Sequence, residues 1–193
     1  MDPVDLAHDD AGDGPVVVLI HGHPFNRGMW APQLAVLRDR FRVIAPDLRG
    51  YGDSPVTPGT VPMAQLAADV GHLLDRKGIA SAALVGLSMG GLVVMELAAA
   101  QPGRWWAYGF IATTAQRVTE QERAARLDSA RTMDEQGMRP VAEQMAAEDP
   151  FWKQLYPHTA EQFRALRYYP YDVYAEHWDR LADAWDRTVL RKG

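Results

Sequence analysis

Three runs of this chain are apolar with almost no polar interruption: Val16-Val17-Val18-Leu19-Ile20, Arg42-Val43-Ile44-Ala45 and Ala82-Ala83-Leu84-Val85-Gly86-Leu87. Their length suits strands, and the lack of a polar face predicts a sheet covered on both sides. Between the strands the apolar spacing changes to three and four. Trp30, Leu34 and Leu37 share a helical face and predict a helix over 29–38. Met63, Leu66, Val70, Leu73 and Leu74 predict another from Pro62, with Thr60 as its cap and Gly78 as its stop. An alanine-rich helix follows over 92–100, then a strand over 106–112, and residues 4–7 suit a short first strand. Strands alternating with helices predict an α/β fold with a doubly wound, mostly parallel sheet.

Beyond residue 112 the pattern becomes wholly helical. Thr119 and Glu122 form a capping box for a helix through Met133, Thr159 and Gln162 suggest a second, and Asp172 suits the cap of a last one. That last helix carries Tyr174, Trp178, Leu181 and Trp185 on one face. Much of the aromatic content lies here, as expected for a helical lid or, equally, for an ordinary helix-packing core. The expected organisation is a core over 1–116 and a helical cap over 117–193.

Composition narrows the partners. A chain of 193 residues with 47% hydrophobic content buries one substantial core. Its net charge of -5 argues against nucleic acid and anionic membranes, both of which reward a basic face. The absence of cysteine excludes disulfides, thiolate metal sites and a cysteine nucleophile. The polar, acidic start is no signal peptide and no apolar run is long enough to span a bilayer, so the expectation is a soluble cytoplasmic protein. No cofactor or metal is called for.

The chemistry concentrates at Gly86-Leu87-Ser88-Met89-Gly90, a Gly-x-Ser-x-Gly turn between an expected strand and an expected helix. Such a turn is too tight for a Cβ on either side of the serine. It would hold Ser88 strained and outward-pointing, with the Met89 N–H at a helix N-terminus. Ser88 is thus the candidate nucleophile and Met89 the candidate donor to an oxyanion. A second donor is the N–H of His23 in His21-Gly22-His23-Pro24, directly after the strand over 16–20; His23 counts here through its backbone. His21 reads better as a structural histidine bonding the loop than as a general base. Asp47 and Arg49 could form a catalytic ion pair, but a role in fixing their loop is the preferred reading.

These three motifs, with Pro46-Asp47-Leu48-Arg49-Gly50-Tyr51-Gly52-Asp53-Ser54 between the other two, resemble the α/β-hydrolase superfamily. The similarity extends over residues 4–115 and is narrowest to bacterial 3-oxoadipate enol-lactonases, small esterases and cofactor-free haloperoxidases. It implies Ser88 as nucleophile, an oxyanion hole from the N–H groups of His23 and Met89, and a cap after Thr119. Serine at 88 argues against the dehalogenase and epoxide hydrolase branches, which use aspartate there.

The resemblance also implies an acid and a histidine downstream, yet the sequence stops at Arg191-Lys192-Gly193 where the next strand is expected. Glu120 reads as helix capping rather than the acid; His158 and His177 are the bases of the cap region, and His177, which could face the pocket, reads better as a partly exposed helix histidine. Two expectations follow. One is a serine hydrolase cleaving a small ester or lactone through an acyl-enzyme. The other is a truncated or catalytically impaired relative acting as a binding module, with a possible homodimer through the exposed strand near Phe110. A haloperoxidase or carbon–carbon hydrolase would use the same site.

Overall fold

The computed structural model describes residues 1–23, 25–59, 61–115 and 119–136. Among these residues five strands form one sheet: β1 (His8–Ala11), β2 (Val16–Ile20), β3 (Arg42–Pro46), β4 (Ala82–Leu87) and β5 (Trp105–Ile111). Their spatial order is β1-β3-β2-β4-β5, parallel throughout except for β1 against β3. The helices are α1 (Ala31–Leu37), α2 (Met63–Arg76), α3 (Met89–Ala100) and α4 (Glu120–Gln136). Among the described residues no helix is long and apolar enough to cross a membrane.

The alternation of side chains along each strand sorts the core into two layers. Val18, Ile20, Ile44 and Leu84 face the layer shared with α2 and α3. Val17, Leu19, Val43, Ala45 and Ala83 face the other, with Trp30 and, partly buried, Leu34 and Leu37. Apolar residues at consecutive strand positions are therefore buried on both sides, as their run predicted. The α2 stripe Met63, Leu66, Val70, Leu73 and Leu74 is buried as expected.

Three expected elements differ. The first strand is not 4–7 but the polar His8–Ala11, because the Val4 N–H donates to the Asp69 carboxylate (3.1 Å) and the Ala7 N–H to the Ser54 hydroxyl (2.9 Å). Those donors are lost to the ladder, and strand pairing starts after them. The helix expected over 29–38 begins as a 3₁₀ turn, Arg27–Trp30, capped by the Asn26 side chain, and becomes α-helical only at Ala31, with a proline in its first turn. The helix expected over 92–100 starts three residues earlier, at Met89. The N-cap of α2 is Pro62 with no side-chain bond; Thr60, the expected cap, lies outside the described residues.

Candidate active site

The turn from β4 into α3 is shaped by glycine. A Cβ at Gly86 would overlap the Gly90 carbonyl, and one at Gly90 would overlap the Ile20 carbonyl and lie 2.6 Å from the His21 carbonyl oxygen. Main chain cannot retreat from such overlaps, so only glycine lets the helix start this close to β2. Between them Ser88 takes φ 50° and ψ -115°, a conformation that costs a non-glycine residue about 1–3 kcal/mol. The surrounding bonds hold it there: the Ser88 N–H donates to the Ile111 carbonyl at the end of β5 (2.8 Å), and its carbonyl accepts from the Gly91 N–H (2.9 Å). Its hydroxyl caps no helix N–H. Met89 is buried and opens α3, where the first N–H groups have no partner within the helix.

The loop leaving β2 closes on this turn. A Cβ at Gly22 would stand 2.9 Å from the Leu87 carbonyl oxygen and 3.2 Å from the Ser88 Cβ, so the glycine sets how near His23 comes to the serine. The Phe25 N–H donates back to the Gly22 carbonyl (2.9 Å), closing the turn around His23. His21 is fully buried and both ring nitrogens are engaged with main chain. Its Nε2 accepts from the Leu48 N–H (3.0 Å), so the proton sits on Nδ1, which donates to the Gly22 carbonyl (3.0 Å). Burial in this apolar setting pulls the His21 pKa down to about 4. That is the structural histidine expected from the sequence. The His23 pKa also falls to about 4, first through burial and then through His21 nearby.

Behind both turns lies the loop after β3. Asp47 and Arg49 do not pair with each other. The Asp47 carboxylate binds the Arg27 guanidinium and accepts from the backbone N–H groups of Arg27 (2.7 Å) and Asp53 (2.9 Å), while its burial pushes its pKa up. Arg49 reaches instead to α2, where its Nε and Nη2 meet the two oxygens of buried Asp69 at 2.7 and 2.6 Å. Each ion pair pins the loop at a different point. Tyr51, two residues after Arg49, places its hydroxyl 3.0 Å from His23 Nδ1 and 3.4 Å from Met89 Sδ. The sequence signal for Tyr51 was only its membership of a glycine-rich loop, and nothing local pointed to those contacts.

The three candidate residues Ser88, His23 and Met89 thus lie on adjoining turns. Glu120 sits in the first turn of α4 with its side chain 85% exposed and paired to Arg123 at 3.6 Å. The capping box is formed: the Thr119 N–H donates to Glu122 (2.7 Å) and the Glu122 N–H to the Thr119 hydroxyl (3.2 Å). His158, His177 and the helices expected around Thr159 and Asp172 lie outside the described residues.

Residues 15–171 match the sequence model of a family described as the alpha/beta hydrolase fold. The chain is 35% identical over 134 residues to 3-oxoadipate enol-lactonase 2 of Acinetobacter baylyi, covering 69% of this chain and 49% of that protein. It is 43% identical over 91 residues to a putative carbamate hydrolase, RutD, of Escherichia coli, covering 47% of this chain and 34% of that one. Among solved structures, a thermophilic esterase from Thermogutta terrifontis superposes with a TM-score of 0.76 at 34% identity, covering 96% of this chain and 70% of its own. The chain therefore spans about half or less of the length of these curated relatives.

Proposed function

The chain belongs to the alpha/beta hydrolase fold family, and from that premise we propose that it is a serine hydrolase cleaving a small ester or lactone through an acyl-enzyme on Ser88. The observation that carries this reading is the Ser88 turn itself, a left-handed residue wedged between glycines at the start of α3 and packed against the loop after β2. The similarity to proteins named esterase and enol-lactonase supports the substrate class.

In this mechanism the Ser88 Oγ attacks the substrate carbonyl carbon and its proton passes to a base. The carbonyl oxygen gains negative charge and accepts hydrogen bonds from the N–H groups of His23 and Met89. Collapse of the tetrahedral adduct expels the alcohol, which takes up the proton, and leaves the acyl group on Ser88. Water then adds to the acyl carbonyl and releases the acid. His21 is not the base, since main chain holds both of its ring nitrogens. Without an imidazole to take the proton, the acceleration over water would fall to roughly 10³–10⁴-fold. Of the cap expected over residues 117–193 the structure describes residues 119–136, where α4 begins at Glu120.

A fluorophosphonate probe tests the proposal. It should label the wild-type chain and leave Ser88→Ala unlabelled; equal labelling of both would refute Ser88 as nucleophile. A second reading rests on β5, the last strand of the sheet among the described residues, where Trp106 and Tyr108 are 53% and 45% exposed. In that reading the chain is a binding module that pairs with a second copy along residues 107–112. Light scattering that gives a monomer mass at all concentrations would remove it.

A further inference from the structure

Tyr51 is 1% exposed, and its phenol stands where the turns after β2 and β4 meet. Its ring meets the His21 ring edge-on at 5.1 Å and the His23 ring at 6.0 Å. Its hydroxyl donates to Met89 Sδ (3.4 Å) and accepts from His23 Nδ1 (3.0 Å), so a chain of two hydrogen bonds runs from one turn to the other. A buried hydroxyl needs a partner. Main chain would have satisfied it equally well, yet these two partners are the side chains of His23 and Met89, the residues to whose N–H groups the proposed function assigns the developing charge. Met89 belongs to a helix and is held by it, whereas His23 belongs to a loop turn. Two donors work together only if their spacing is fixed before the charge appears, and losing one donor slows such reactions by about 10²–10³-fold.

We propose that Tyr51 is a positioning residue for the oxyanion site, its hydroxyl tying the His23 side chain to that of Met89 and so fixing the separation of their N–H groups. This rests on the serine hydrolase reading. A ring that merely filled the core would do so equally well as phenylalanine.

Labelling rates of the full chain with the fluorophosphonate probe, for Tyr51→Phe, His23→Phe and the double variant, test the proposal. Each single change should slow labelling about tenfold, a fraction of what a whole donor contributes. The double variant should lose no more than either single one, because both cut the same tie. With a p-nitrophenyl ester the loss should appear in kcat, with KM unchanged. Labelling of Tyr51→Phe at the wild-type rate, or a double variant slowed about a hundredfold by simple multiplication, overturns the proposal. Should Tyr51→Phe fail to fold by circular dichroism, His23→Phe alone decides by the same criterion. Should the wild type itself resist the probe, the hydrolase reading fails separately. The tie is then judged by amide NMR, where Tyr51→Phe must shift the His23 and Met89 resonances together, and unmoved resonances overturn it.

Discussion

One methyl group at position 90 is enough to separate α3 from β2. The Gly90→Ala side chain would overlap the Ile20 carbonyl and crowd that of His21, and neither strand end can retreat without breaking the sheet. A loss of about 3 kcal/mol or more is expected in urea unfolding; stability within 1 kcal/mol or so of wild type would contradict this packing. Ser88 gives the opposite case. Its φ of 50° is strained for serine and ordinary for glycine, so Ser88→Gly should gain about 1 kcal/mol while abolishing probe labelling. At this scale the turn was readable because its makers are chain neighbours: two glycines, a serine and the strand and helix patterns beside them. Tyr51 was not readable, since its hydroxyl partners lie 28 and 38 residues away.

Among the elements, α2 shows what periodicity finds and what it overlooks. Its apolar stripe was legible as a core face, whereas nothing in that periodicity singled out Asp69 on the same helix. It is buried, accepting from the Arg49 guanidinium through both oxygens and from the Val4 N–H. One carboxylate thus joins the N-terminal segment, the loop after β3 and α2. Asp69→Ala would leave the Arg49 charge buried and unpaired, and a loss of about 3–5 kcal/mol is expected by chemical denaturation. A loss under about 1 kcal/mol would mean that the pair behaves as an exposed one. The same bond explains why residues 4–7 are not the first strand: a side chain 65 positions away claims the Val4 N–H. Local alternation carries no record of that competitor. The capping box of α4 was legible for the converse reason, since donor and acceptor are three residues apart.

For the molecule as a whole, the two histidines of the β2 loop tie stability to pH. Their pKa values of about 4 lie below the ordinary value of 6.5, so between these limits the unfolded chain binds protons that the folded chain refuses. Folding should therefore be most stable above pH 6.5 and weaken as the pH falls toward 4. For fully buried His21 the loss is on the order of 3 kcal/mol. Asp47 acts in the other direction: its raised pKa favours the folded state at low pH, an advantage that fades as the pH rises through it. It opposes the slope that the histidines set. Urea unfolding at pH 7, 5.5 and 4.5 measures this, and a flat profile would show that His21 is not held neutral.

The sequence by itself determined the parallel sheet, the two-sided core and the tight serine turn, because each depends on side-chain period or on residues adjacent in the chain. Tertiary structure decided the rest. Which charge pairs with which, where β1 begins, and how His23 and Met89 come to share Tyr51 all depend on groups that are distant along the chain and meet only once the sheet has formed. Hydrogen bonds and ion pairs act over a few ångströms of space, and separation along the chain does not record that distance.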